Sequence, residues 1–164
     1  MAKYISINEL ETFKFHDAVF KNIIINYEEI VWKLERVNVT KVNTQNNLNT
    51  DMEAGVLFLT FKNCIVTKIE HFVSDIYNKA GKVIQKQPNI IAPVKDYVDI
   101  LSNISVNHGW ISSIRSESKD DNRYQLCADV LTHTDSLIID LEYSEVKAEW
   151  DSYINEAWYI NFGK

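Results

Sequence analysis

A strict alternation of apolar and polar residues in the C-terminal half of the chain narrows the fold more than any other feature. Tyr124, Leu126, Ala128 and Val130 interleave with Gln125, Cys127 and Asp129. After His133-Thr134-Asp135-Ser136, Leu137, Ile139, Leu141 and Tyr143 interleave with Ile138, Asp140 and Glu142. Successive side chains of a strand point to opposite faces, so a period of two describes a strand with one face in a core. Val146, Ala148 and Trp150 resume the rhythm after a slip that predicts a bulge. Val106 to Ser116 supplies a further strand, turned back by Lys119-Asp120-Asp121-Asn122-Arg123.

The N-terminal half carries the same signal less cleanly. Val19 to Ile25 and Ile30 to Val39 are rich in Val and Ile and flank Asn26-Tyr27-Glu28-Glu29, which predicts a hairpin. In its second arm Ile30, Trp32 and Leu34 share one side, and Val31, Lys33, Glu35, Val37 and Val39 share the other. Apolar residues on both sides near its start predict cover on both faces there. Val56 to Phe61 and Cys64 to Phe72 flank Lys62-Asn63 and form either a second hairpin or one long bulged strand. Ser6 to Phe13 fits a short helix or an extended arm, and the polar run Asn43 to Glu53 fits a loop.

Only between Pro88 and Ile104 does the period change. Ile90, Val94, Tyr97, Val98, Leu101 and Ile104 recur at helical spacing, with Lys95, Asp96 and Asp99 opposite. Pro93 suits a first helical turn, where its missing N–H has no partner to lose. With four Gly and two Pro in the chain, the remaining turns must rely on Asn, Asp and Ser. The expectation is one domain over residues 1–164, mainly β within the α+β class. It is an antiparallel β-sandwich or partly open barrel of about 7–8 strands, with one amphipathic helix near residues 93–103.

Composition bounds the function. The chain is 46% hydrophobic and 12% aromatic, enough for a core, and carries a net charge of −6. An acidic chain is repelled by polyphosphate and by anionic lipid, which argues against nucleic-acid and membrane partners. The one basic run, Lys79, Lys82 and Lys86, reads as a solvated face. The start, Met1 to Glu9, has no apolar stretch of signal-peptide length, and no window approaches the ~18 apolar residues of a membrane span. Cys64 and Cys127 stand far apart without a CxxC pattern, as buried thiols do, and a cytoplasmic location is expected.

No residue pattern assembles a reactive centre. The four histidines are His16, His71, His108 and His133. His16 and Asp17 would point apart on a strand, though a turn would unite them, and His133 with Asp135 falls short of a metal site. HExxH, GxSxG and glycine-rich phosphate loops are absent from the sequence, so neither cofactor nor metal is expected. The most unusual segment runs from Glu149 to Phe162. Within it Trp150, Asp151, Tyr153, Glu156, Trp158 and Tyr159 are the candidate binding residues. Aromatic faces beside carboxylates bind sugars, cations or a protein partner; alternatively they seal one end of the core. Trp32 and Trp110 lie in apolar strands and are expected inside.

The leading reading is a non-enzymatic, cytoplasmic protein-interaction module that binds or neutralises a basic protein partner. One alternative is a small-ligand-binding β-barrel with aromatics lining its cavity. Another is a hydrolase or metal-dependent enzyme built on His16, Asp17, His133 or Asp135. Homo-oligomerisation through a strand edge or an apolar patch is compatible with the first two.

Overall fold

The structure, a computed structural model, describes residues 2–120 and 122–162. Asp121 of the expected 119–123 turn lies outside the described residues. The first strands are β1 (Tyr4–Ile7), β2 (Phe13–Lys14), β3 (Ala18–Ile25), β4 (Glu29–Glu35), β5 (Asn38–Val39) and β6 (Met52–Ala54). Then come β7 (Leu57–Lys62), β8 (Ile65–His71), β9 (Ile76–Tyr77), β10 (Val83–Gln85) and β11 (Ile90–Ile91). Helix α1 (Tyr97–Val106) precedes β12 (Trp110–Asp120), β13 (Arg123–Leu131), β14 (Ser136–Tyr143), β15 (Glu145–Trp150) and β16 (Tyr153–Glu156).

Ten strands form one antiparallel sheet in the order β1-β15-β7-β4-β3-β12-β13-β14-β8-β11. Two courses of chain give it its shape. β7 and β8 do not pair with each other. Instead β15 pairs with β7 up to Glu145↔Lys62, and β14 pairs with β8 up to Glu142↔Ile65. Residues 57–71 are therefore one long interrupted strand, and 136–150 is its antiparallel companion. Both bend at the same level, Asn63–Cys64 opposite Ser144. The bend folds the sheet over on itself, and on the far side β3 joins β12 through Trp110↔Val19 and Ile111↔Ala18. The sheet is open at β1 and β11 and is not a closed barrel. It has more strands than the alternation predicts, because short segments such as β1 and β11 extend its edges.

The inward faces follow the alternation. Leu126, Ala128 and Val130 of β13 are buried, as are Leu137, Ile139, Leu141 and Tyr143 of β14. Through the centre runs a ladder of rings packed edge to face: Phe20 on Trp32 at 5.2 Å, Trp32 on Phe61 at 4.9 Å and Phe61 on Tyr143 at 5.1 Å between centroids. The last contact joins β7 to β14 at the corner where the two companion strands bend.

The N-terminal hairpin forms with Ile25 opposite Ile30. On its second arm Ile30, Trp32 and Leu34 are buried and Val31 is half-buried on the outer side. The expected run to Val39 breaks at Arg36, whose φ of 62° turns the chain away. The chain then enters a second sheet, β16-β6-β5-β2, through β5, with Val37 and Val39 both buried. The polar run 43–53 is a connection scaffolded from within. Buried Asn43 donates to Thr12 Oγ1 at 2.7 Å, and buried Asn46 donates to the Val39 carbonyl at 3.1 Å.

The expected helix over 93–103 begins with a 3-10 turn, Val94–Asp96, and continues as α1 to Val106. It buries Tyr97, Leu101 and Ile104, whereas Val94 and Val98 face solvent and Ile90 belongs to β11. The helix stops because His108 adopts φ 52° and the Gly109 amide returns to the Ile104 carbonyl at 2.7 Å. A Cβ on Gly109 would lie 2.4 Å from Ile104 Cγ2, so only glycine fits there. Among the described residues no helix is long and apolar enough to cross a membrane.

Since Phe61 touches rings on both sides, its truncation removes two contacts at once. Phe61→Ala is expected to lower stability by about 3–5 kcal/mol in urea unfolding. A loss below about 1 kcal/mol would show that the ring ladder does not hold the two halves together.

Candidate functional site

The small sheet brings the C-terminal segment across the body. β16 pairs with β6, setting Asn155 opposite Glu53 and Glu156 opposite Met52, and the Ala157 amide donates to the Asp51 carbonyl at 2.9 Å. Asp51 is the anchor. Its carboxylate accepts from Tyr159 Oη at 2.7 Å, from the Lys41 amide at 2.8 Å and from Lys14 Nζ at 3.4 Å. The Lys14 ammonium also lies 4.1 Å from the Tyr159 ring centroid. Burial alone would raise the Asp51 carboxyl, but the bonds from Tyr159, Lys41 and Lys14 together outweigh it and hold it below its ordinary range. The Tyr159 phenol moves upward, by burial first and then by the carboxylate it serves.

Anchoring Tyr159 presents its neighbour. Trp158 is 51% exposed and forms one wall of an open cleft of about 430 Å³, whose other walls are His16, Asp17, Arg36 and Glu53. Asp17 and Arg36 also border an adjoining hollow lined by Val19 and Trp110. The five residues of the cleft come from four stretches of chain: the 15–17 turn, the β4–β5 junction, β6 and the C-terminal segment.

Local backbone geometry fixes two of them. Asp17 (φ 67°) and Arg36 (φ 62°) both occupy the left-handed region, which disfavours side chains other than Gly, Asn and Asp. The 15–17 turn is clamped to β12, where the Asp17 amide donates to the Ile111 carbonyl and His16 Nδ1 lies 2.9 Å from the Ser112 carbonyl oxygen. The turn unites His16 and Asp17, with Nε2 3.7 Å from Oδ2. Arg36 takes part in none of the ion pairs among the described residues. Its guanidinium therefore has unused donors beside the cleft.

The six sequence candidates do not form one surface. Trp150 is buried, stacked on Tyr4 at 5.4 Å and edge-on to Phe13 at 5.7 Å, and belongs to the core. Tyr153 is half-buried, 5.0 Å from the Tyr4 ring, with its phenol pushed up to about 12 by burial. Asp151 is exposed and accepts from the Lys3 amide at 3.2 Å; Glu156 is exposed and accepts from Asn161 at 3.0 Å. Trp158 reaches the cleft, and Tyr159 stands behind it.

Several placements differ from the sequence expectation. Asp135 pairs with His71, Nδ1 to Oδ2 at 2.7 Å, rather than with His133. The Thr132 hydroxyl nearby is engaged by the amides of Thr134 and Asp135 in its own turn. His133 instead lies 6.0 Å from the rings of both His108 and Trp110. Trp110, expected inside, is only half-buried. Among the described residues no group of three or more His, Cys, Asp or Glu is arranged to hold a metal ion. Burial pushes the Cys64 thiol up to about 12, partly opposed by Arg123, and raises Cys127 as well. Neither is an activated thiolate.

Sequence reasoning missed Arg36 and Glu53, and it did not connect His16 and Asp17 with Trp158. Only the pairing of β5 with β6 and of β6 with β16 brings them together, and nothing local announces that pairing. Comparison with family models, curated proteins and solved structures finds no match.

The Asp51 anchor has a testable signature. Asp51→Asn removes the charge that receives the Tyr159, Lys41 and Lys14 donors and is expected to cost about 1–3 kcal/mol at pH 7. Because the folded carboxyl titrates low, its contribution is complete above the unfolded value near 4 and is lost as pH falls through the folded value. The stability gap between parent and variant should therefore narrow on acidification from about pH 6 to pH 3. A constant gap across that range in pH-dependent urea titrations would contradict the anchor.

Proposed function

We propose that the chain is a non-enzymatic protein-binding module that recognises a basic partner through the Trp158 cleft. The observation that carries this reading is the convergence of a half-exposed tryptophan with two carboxylates, Asp17 and Glu53, from separate parts of the chain. A lysine or arginine of a partner can lie on the Trp158 face and meet those carboxylates, a combination of cation–π and charge-assisted contacts. Arg36 supplies donors for a carbonyl or carboxylate on the same partner, so the site suits a polypeptide better than a lone cation. Exposed Asp151 and Glu156 extend the acidic character along the same segment, and the overall charge of −6 steers a basic partner toward it. A ligand held between the sheets draws no support from the interior, where the Phe20, Trp32, Phe61 and Tyr143 rings pack against one another.

The test is affinity capture from a lysate at low and at high salt, with parent protein and two variants compared quantitatively. Trp158→Ala is expected to weaken capture of the retained partner by about 30-fold or more, the scale of an interface hot spot. Arg36→Gly relieves a left-handed arginine, so it should keep the parent's Tm or raise it while still weakening capture. Failure to retain any protein, or equal retention by both folded variants, would overturn the reading.

A further inference from the structure

We propose that the β9–β10 ribbon is a docking arm that enters a groove on a second copy of the same chain. The ribbon leaves the body after β8 and returns at β11, and among the described residues it pairs with no third strand. Its root is tied by two side chains: Asp75 accepts from the Gln87 amide at 2.9 Å, and Asn89 accepts from the Val73 amide at 3.3 Å. Its tip is shaped by Asn78, whose Oδ1 accepts from the amides of Ala80 and Lys82, and by Gly81 at φ 75°. The chain is thus built to hold the ribbon out.

What it holds out is apolar. Ile76, Tyr77, Val83 and Ile84 are 41%, 56%, 37% and 63% exposed, and every residue of both strands is exposed. A lone two-stranded ribbon is marginal in water, and one that buries none of its own large side chains lacks the usual compensation. Between Ile76 and Pro88 the ribbon has Lys79, Lys82 and Lys86 and no acidic residue. Those three charges leave −9 for the remainder of a chain whose total is −6.

The body offers a groove of matching chemistry. It has a volume of about 600 Å³. Phe13, Phe15, Ile114 and Tyr124 give it apolar walls, and exposed Glu11 and Glu117 stand at its rim. Arg115 lines the groove too, but its guanidinium donates to Cys127 Sγ, 3.5 Å away. An apolar ribbon edged with lysines complements an apolar groove edged with glutamates. The strand register selects a second molecule. Ile111↔Val130, Val130↔Leu137, Leu137↔His71 and His71↔Ile90 set the root of the ribbon level with the start of β12, four strands away across the sheet. The groove lies at the other end of β12, where Ser118 faces Tyr124, roughly 20 Å along the strand. Ribbon and groove at opposite ends suit head-to-tail association between copies. A nucleic acid or an anionic bilayer also attracts lysines, but it would face the −9 of the remaining chain.

Sedimentation velocity over a concentration series, at low and at high salt, tests this directly. The parent should associate at low salt and dissociate toward monomer as salt screens the lysine–glutamate pairs. Ile84→Asp, and separately Lys82→Glu, should weaken association by about 10-fold or more. Both change exposed residues, and circular dichroism melts report whether the fold is kept. Glu117→Lys should do the same from the groove side, and an equimolar mixture of Lys82→Glu with Glu117→Lys should regain assembly. A parent that stays monomeric throughout would overturn the proposal. So would association untouched by the ribbon variants, or a monomer that binds phosphatidylserine vesicles or duplex DNA through the ribbon. The ribbon and this groove share no residue with the Trp158 cleft, so failure here leaves the cleft reading standing and the reverse also holds.

Discussion

Asn63 occupies the left-handed region at φ 47°, its side-chain amide donates to Ser144 Oγ at 2.8 Å, and the Ser144 amide donates to the Lys62 carbonyl at 3.0 Å. The Cys64 amide, one residue on, donates to the Glu28 carbonyl at 3.2 Å in the first hairpin's turn. Together these bonds bend two paired strands at one level. The remaining architecture depends on that bend, because it lets one continuous sheet supply both walls of its own core. Phe61 and Tyr143 sit immediately before the bend on their respective strands, so the same corner that turns the backbone brings the two rings together in the interior. Hydrophobic burial supplies the driving force, but the corner decides which surfaces face each other.

Filling the interior this way moves function to the periphery. The tightly packed rings leave the chemistry to segments outside the main sheet: the 15–17 turn, the β4–β5 junction and the strands of the small sheet. These segments are held by polar contacts rather than by packing alone. Asn43 and Asn46 fix the 43–53 connection, and Asp51 at its end gathers Tyr159, Lys14 and Lys41. The buried carboxylate is therefore a joint between two chain ends of the site, and Trp158 inherits its position from its neighbour's hydrogen bond.

Side-chain period made the main strands and their inward faces readable. Tyr124–Val130 and Leu137–Tyr143 each expose one face to the core, and a register slip would have turned that face to solvent. The break between Lys62 and Ile65 was readable as a strand or a hairpin, and only the pairing with 136–150 decides between them. Single residues were less legible. Trp150 and Trp158 look alike in sequence, yet β15 places the first under Tyr4 while the turn after β16 leaves the second outside. Ile90 fits a helical stripe by spacing, but β8 offers it a strand to join, and pairing wins. The His71–Asp135 contact joins residues far apart in sequence, beyond the reach of local spacing.

Arg36 shows why the candidate site escaped a reading based on propensity. A bend at that point is needed, since Glu35 ends a strand of the main sheet and β5 belongs to the small one. Glycine or asparagine would make the same bend with less strain. An arginine there forgoes that ease and places at the cleft, which Asp17 also lines, a guanidinium with no ion-pair partner among the described residues. Departures from local preference are informative when they coincide in space rather than in sequence. Of the non-glycine residues with positive φ, Asp17 and Arg36 border both hollows, and His108 lies two residues before Trp110 in the second. Asn8, Asn63 and Asp17 itself are of residue types that tolerate the conformation, which leaves Arg36 as the clearest departure. Arg36 therefore sets a strained position beside both hollows, which is the physical reason to look for recognition there.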